Sequence, residues 1–254
     1  MIHPSLRLLH ITDTHLFAQT DGRLRGVDTY RTLSKVLDHA LADPRRPDAI
    51  LVTGDLSQDE TRDAYQNFRA LLSRAGLPVW CLPGNHDAPP FMSETLATEP
   101  FQLGGTLVRG DWCLILLNDH IPGDHGGRLA PVELERLRTT LDEHKNRHVM
   151  LAIHHHVLPL NSRWLDALSL YNAGEFLTVV DRSSQVRCVV AGHVHQASDL
   201  SRNGVRYLTA PSTCFQFLPE VDSFAIDTRP PGFRWLDLLP DGGIATDVVW
   251  VDPT

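Results

Sequence analysis

Short apolar runs that end abruptly in polar residues recur along this chain, and in its first half they alternate with stretches whose apolar residues return every three or four positions. Residues 6–12, 48–53 and 78–82 read as buried strands. Between them, Tyr30, Leu33, Val36, Leu37, Ala40 and Leu41 share one helical face, and so do Ala64, Tyr65, Phe68, Leu71 and Leu72, with Gly76 closing that second helix. A helix-like stretch starts at Pro89, and residues 106–108 and 112–117 flank a Gly110–Asp111 turn as a hairpin. A helix follows over 131–143, then strands at 148–153 and 186–191 on either side of a short helix at 174–180. Beyond these the pattern predicts strands alone, at 205–209, 223–227, 233–238 and 244–250.

The pattern is therefore α/β early and mainly β late. No repeat, low-complexity segment or Gly/Ser linker marks a boundary, so residues 1–254 are expected to form one domain with two packed sheets and outer helices. With 254 residues, 42% of them hydrophobic, the chain can bury a sizeable core. Its apolar runs, such as 113–117, fall far below the roughly 18 residues of a membrane span. The first ten residues offer no signal-like apolar segment, so a cytoplasmic protein without a membrane partner is expected.

A formal charge of -8 argues against a groove for long nucleic acid and favours a small substrate. Cys81, Cys113, Cys188 and Cys214 lie far apart without metal or redox spacing and read as buried thiols. Histidine, with 14 copies, carries the chemistry. Five apolar strands run straight into Asp, Asn or His: Asp13 and His15 in HITDTH, Asp55 in LVTGD, Asn85 and His86 in LPGNHD, His154 to His156 in AIHHH, and His193 and His195 in VVAGHVH. The carboxyl ends of neighbouring strands form one rim where ligands bind, so these clusters can converge.

In extended backbone, residues i and i+2 project to one side, which would pair Asp13 with His15 and His193 with His195. Gly54, Gly84 and Gly192 precede Asp55, Asn85 and His193, as expected where backbone turns sharply. Asp13, His15, Asp55, Asn85, His154, His193 and His195 are too many ligands for one tetrahedral site and suit two metals sharing a carboxylate, with Asp55 the natural bridge. Mixed imidazole, carboxylate and amide donors favour Fe, Mn, Zn or Co over Ca or Mg. Only Asp13 and Asp55 are anionic, so two divalent ions would keep a net positive charge that attracts a phosphate ester. Taken singly, Asp13 or Asp55 could be a turn residue and each histidine a hydrogen-bonded core residue.

The blocks D-x-H, G-D, G-N-H-D, H and G-H-x-H, in this order, resemble the calcineurin-like metallophosphoesterase superfamily. The longer stretches LHITDTHLFAQ, TGDLSQDE, WCLPGNHD, IHHHVLPL, SRWLDALSLYNAGEF, AGHVHQ and APSTCFQF are similar to bacterial class III cyclic-AMP phosphodiesterases, over nearly the whole chain. The resemblance implies a four-layer αββα sandwich, two mixed β-sheets flanked by helices, with two metal ions (Fe, Mn or Zn) at the strand ends. It implies Asp13, His15 and His195 on one metal, Asn85, His154 and His193 on the other, and Asp55 between them. It makes His86 the phosphate-contacting catalytic residue, with His15, Asp55, Asn85 and His195 also facing substrate.

The implied reaction is hydrolysis of 3′,5′-cyclic AMP to 5′-AMP by a hydroxide activated at the metal pair, with a homodimer as the assembly to test. A phosphodiesterase or pyrophosphatase for another small diester, a nuclease, and a non-catalytic nucleotide-binding or partner-binding domain stay open. A protein phosphatase is disfavoured because Asp55 is followed by Leu56, Ser57, Gln58 and Asp59 rather than the G-D-x-x-D-R-G pattern. His155 and His156 are expected either to orient His154 or to continue its strand. Trp164, Asp166 and Asn172 are expected over the substrate, Asp59, Glu60 and Asp63 at a helix start, and Cys214 in packing. His3, His10, His39, His120, His125, His144 and His148 read as surface or packing.

Overall fold

The computed structural model describes residues 6–252, so the expectation for His3 lies outside the described residues. In chain order the strands are β1 (Leu6–Ile11), a two-stranded ribbon of β2 (Arg23–Leu24) and β3 (Val27–Asp28), then β4 (Ala49–Thr53), β5 (Val79–Leu82), β6 (Phe101–Leu103), β7 (Gly105–Arg109) and β8 (Trp112–Leu116). They continue with β9 (His148–Ile153), β10 (Val186–Ala191), β11 (Ser198–Arg202), β12 (Val205–Thr209), β13 (Gly232–Leu238) and β14 (Ile244–Trp250). The helices are α1 (Thr29–Leu41), α2 (Arg62–Ser73), α3 (Pro89–Leu96), α4 (Pro131–Glu143), the single turn α5 (Arg163–Asp166) and α6 (Ala173–Asp181).

Two six-stranded mixed sheets result, in the orders β14-β13-β1-β4-β5-β6 and β11-β12-β10-β9-β8-β7. Within the first, β1, β4, β5 and β6 run parallel; within the second, β12, β10, β9 and β8 do. Antiparallel strands flank each parallel set. Strands buried on both faces explain the unbroken apolar runs. In β4, Ala49 and Leu51 point to one core and Ile50 and Val52 to another. In β8, Leu114 and Leu116 share the core of Leu51, whereas Cys113 and Ile115 join the residues of α4 and α6.

Three apolar layers follow: one between the sheets, one under α1, α2 and α3, and one under α4 and α6. This is the four-layer αββα arrangement the resemblance implied. The helices begin where local chemistry allows it. Asp28 accepts from the Arg31 N–H at 3.0 Å ahead of α1, and Thr61 accepts from the Ala64 N–H at 3.2 Å ahead of α2. Pro89 and Pro131 occupy first-turn positions, where a missing N–H costs nothing.

The strand expected at 223–227 does not form. Ile226 makes only an isolated bridge to Phe217, while Phe224 and Ile226 stay 44% and 45% exposed. The segment instead folds back on residues 216–218, with the Leu218 N–H donating to Ala225 O at 2.8 Å and the Asp227 N–H to Gln216 O at 2.9 Å, and joins neither sheet. Conversely β11, SDLSR, is a polar edge strand with no buried residue, so hydrophobic periodicity carries no sign of it.

Candidate active site

Every donor named above sits just past the carboxyl end of a parallel strand, with β1, β4 and β5 contributing from one sheet and β9 and β10 from the other. The loops after β1 and β4 then zip together: the Asp13 N–H donates to Gly54 O at 3.1 Å, His15 N–H to Asp55 O at 2.9 Å and Leu16 N–H to Leu56 O at 3.0 Å. The loops after β9 and β10 are tied likewise, by Gly192 N–H to His154 O at 3.0 Å. Across the sheets, the His193 N–H donates to Asp13 Oδ2 at 3.0 Å.

The expectation that strand alternation pairs Asp13 with His15 and His193 with His195 is corrected by the backbone. These four residues lie beyond the strands, with φ of 53°, 45°, 66° and 45°, and Asp55 is similar at 53°. Left-handed backbone at non-glycine residues costs roughly 1–3 kcal/mol each and persists only where the surroundings enforce it. The interlocked loops supply that enforcement. Two glycines make room: a Cβ on Gly84 would meet Asp55 N at 2.5 Å and His154 Cε1 at 2.6 Å, and one on Gly192 would meet Thr12 Oγ1 at 2.0 Å.

The donor atoms gather in two groups that share Asp55. His15 Nε2 lies 3.1 Å from His195 Nε2, 3.9 Å from Asp13 Oδ1 and 3.7 Å from Asp55 Oδ2. Asn85 Oδ1 lies 3.1 Å from His154 Nε2 and 3.0 Å from His193 Nδ1, and His154 Nε2 lies 3.5 Å from Asp55 Oδ1. A metal bound at about 2.1 Å by nitrogen and oxygen separates adjacent donors by about 3.0–3.4 Å. Both groups approach that spacing.

Electrostatics make the same demand. His154 Nδ1 donates to Thr53 O at 2.7 Å and His195 Nδ1 to Phe215 O at 2.8 Å. A neutral ring must then turn its Nε2 lone pair toward Asp55 in one case and Asp13 in the other. Burial opposes protonation of His154, yet Asp55 outweighs it and holds the pKa near 10; His195 reaches about 10 the same way beside Asp13. Burial would push the carboxyl of Asp55 up, but His154 and the other histidines bring it well below the ordinary carboxylate range. His15 shifts the other way, to about 3, chiefly through burial. Asp13 Oδ1 is buried with no hydrogen-bond partner. The site thus calls for positive charge at both groups, and two bound cations fit the donors present, with ring N–H groups fixed by backbone carbonyls.

Neighbouring side chains hold this frame. His155 donates from its backbone N–H to Asp119 Oδ2 at 2.9 Å, its Nδ1 lies 3.0 Å from the same oxygen, and its Nε2 faces His125 O at 3.2 Å. With both ring nitrogens engaged, His155 is a prop whose ring packs against His154 and His193 at 4.7 and 4.5 Å. His156 pairs with Asp166 at 3.3 Å and stacks on His193. Asp119 follows β8 in LLNDH, a sixth strand running into polar residues, and that signal could have identified it.

Asp87 ties the Asp55 and Asn85 loops together: it accepts from the N–H groups of Leu56, Ser57 and Gly84 and from the Tyr65 hydroxyl, at 2.9–3.2 Å. Asp87→Ala strands these buried donors and is expected to destabilise the chain by about 3 kcal/mol or more, lowering Tm by roughly 6–12 °C. Calorimetry checks this; an unchanged Tm would show that the loops hold without it.

Around the rim lies a cleft of about 250 Å³ lined by His15, Asp55, Asn85, His86, His193 and His195 together with Trp164, Phe217 and Phe224. His125, exposed as a surface residue, also lines it, with its ring 5.8 Å from that of His86. Asn172 does not cover the cleft: its side chain bonds both the N–H and the carbonyl of Leu129. Asp166 acts through His156, and of that segment Trp164 alone among the three faces the cleft. His10 is buried against Thr53, and burial takes its pKa down to about 3, in keeping with packing. Asp63 lies in the first turn of α2, while Asp59 instead receives hydrogen bonds from Ala18, Ser57 and Thr61 and organises the loop. Cys214 is buried, with its Sγ 3.1 Å from the Ser212 hydroxyl, and lies close to His15 and His195.

Residues 6–197 match the family model described as calcineurin-like phosphoesterase. The chain is 41% identical over 244 residues to a 3′,5′-cyclic adenosine monophosphate phosphodiesterase of Escherichia coli (strain K12), covering 96% of this chain and 89% of that protein. It is 38% identical over 249 residues to the protein of the same description from Pseudomonas aeruginosa, covering 98% and 91%. Among solved structures, a dimetal phosphatase from Danio rerio superposes with a TM-score of 0.68 at 14% identity, over 99% of this chain and 100% of that one. Among the described residues no helix is long and apolar enough to cross a membrane.

Proposed function

Because this chain belongs to the calcineurin-like phosphoesterase family, we propose that it hydrolyses 3′,5′-cyclic AMP to 5′-AMP at a dinuclear metal centre built from the donors at the strand ends. One observation carries the reading: the two carboxylate oxygens of Asp55 are divided between the two donor groups, Oδ2 toward His15 and Oδ1 toward His154. Asp13, His15 and His195 would hold one ion, Asn85, His154 and His193 the other, with Asp55 shared. Fe, Mn or Zn suits this donor set. Bound there, the ions lower the pKa of water toward neutrality and place positive charge beside phosphoryl oxygens.

The protein's own groups do the rest. Asp55 is held in its shared orientation by the His86 N–H, which donates to Oδ1 at 2.8 Å. The His86 ring faces that of His15 at 5.2 Å, at the edge of the cleft where a phosphoryl group would lie. Gln58 Nε2 lies 3.4 Å from His86 Nδ1 and steadies the ring. His86 would then donate to a phosphoryl oxygen and protonate the departing 3′ oxygen.

Both sheets supply donors, which supports reading residues 1–254 as one catalytic domain. Four free, buried cysteines accord with a cytoplasmic location. The chain, loaded separately with Mn²⁺, Fe²⁺ or Zn²⁺ and given cyclic AMP, cyclic GMP, other phosphodiesters and monoesters, is expected to bind two ions and release 5′-AMP. Chelation should abolish turnover, and readdition of metal should restore it. Preference for a non-nucleotide diester would overturn the substrate assignment.

A further inference from the structure

Beside the donor groups the cleft changes character, and its wall there is aromatic. Trp164, Phe217 and Phe224 all line it, coming from α5 and from the long segment between β12 and β13. Their ring centroids lie 5.1–5.5 Å apart, and each pair is near perpendicular, at 70–76°. Three mutually perpendicular rings make a corner rather than a flat stack. The corner joins the donor groups through Phe217, whose ring stacks on the His195 imidazole at 4.2 Å and 11°. Arg25, from the turn between β2 and β3, also lines the cleft and sits 5.1 Å over Phe224.

Two features show that this corner is incomplete as it stands. Phe224 is 44% exposed although it packs against two other rings, so apolar surface there faces water. The Trp164 indole N–H is buried and has no hydrogen-bond partner, and such a donor is costly unless something accepts from it. A purine answers both. Its flat apolar ring covers aromatic surface, and its ring nitrogens are acceptors for a single N–H. A second cleft that also reaches His86, lined by Glu60, Asp87, Pro89, Pro122 and Asp124 among others, has no Trp, Phe or Tyr in its wall.

We propose that Trp164, Phe217 and Phe224 form the nucleobase subsite of this centre, taking the purine of a cyclic nucleotide whose phosphate lies over Asp55 and His195, with the Trp164 N–H donating to a ring nitrogen of the base. The inference rests on the preceding reading of the centre and adds the residues that select a nucleotide over other small diesters. Phe224 contributes contact area, Trp164 contact and a hydrogen bond, and Arg25, also in the cleft wall, steadies Phe224.

The test uses the metal-loaded full chain and its Phe224→Ala and Trp164→Phe variants; the second keeps an aromatic ring and removes only the donor. Phe224→Ala is expected to raise the KM for cyclic AMP by roughly 5- to 100-fold, the range for loss of one base–aromatic contact. Trp164→Phe should raise it by roughly 3- to 10-fold, as for loss of one hydrogen bond. Inhibition by inorganic phosphate, which reports on the donor groups alone, should stay within about twofold in both. Adenosine, which has no phosphate, should inhibit the parent chain competitively and lose that effect in Phe224→Ala. A KM for cyclic AMP and an adenosine inhibition constant unchanged in both variants would overturn the subsite. If the parent chain fails to turn over cyclic AMP, the substrate assignment falls instead, and adenosine inhibition of bis(p-nitrophenyl) phosphate hydrolysis, compared between the parent and Phe224→Ala, still decides the subsite.

Discussion

An Asp55→Ala chain should lose metal and activity together, with hydrolysis falling by roughly 10³-fold or more. Asp55 turns one carboxylate oxygen to each group, Oδ2 toward His15 and Oδ1 toward His154, and it is 2% exposed. Its removal also takes away the negative charge that favours a cation beside His154. Elemental analysis should show at least one ion missing, while circular dichroism reports the fold. Asp55→Asn keeps the volume and one acceptor oxygen, and separates loss of charge from loss of packing. Full metal content with full activity in both variants would remove Asp55 from the centre.

His86→Ala should behave in the opposite way, keeping metal while the rate falls by about 10²- to 10⁴-fold, the usual contribution of a positioned acid. The contrast comes from which atoms of His86 do what. Its backbone N–H holds Asp55, and that donor survives truncation to alanine. Its ring is half-buried and contacts Gln58, His15 and His125, so little packing is lost. Metal analysis beside the rate adds a second readout, since the variant should keep both ions. Unchanged turnover would leave His86 with only its backbone role.

The candidate donors were legible in the sequence for a simple reason. Asp, Asn and His directly after an apolar strand are expensive to bury without a partner, so five such clusters require a common explanation. The same logic reaches Asp119 in LLNDH, which ends as a prop for His155. Strand alternation failed as a guide to Asp13, His15, His193 and His195 because they lie in left-handed turns past the strands, held by bonds between distant loops. Hydrophobic alternation failed in the same manner at 223–227, where the chain bonds to the nearby residues 216–218 rather than to a sheet.

The aromatic corner was illegible for a different reason. The resemblance marks out only Trp164; Phe217 and Phe224 read as ordinary packing residues, and nothing in their spacing distinguishes a wall facing solvent from one facing a core. Their meeting depends on α5 and the segment between β12 and β13 being brought to the same side of His195.

By itself the sequence determined the α/β layers, because residues buried on both faces of a strand must be apolar whatever the topology, and it determined the chemical kinds of donor available. Only the tertiary structure decided which donors stand together, that Asp55 divides its two oxygens between the two groups, and where the apolar wall stands. Those are relations between side chains far apart along the chain, and a 3 Å separation across two sheets is fixed by how the sheets and their loops interlock.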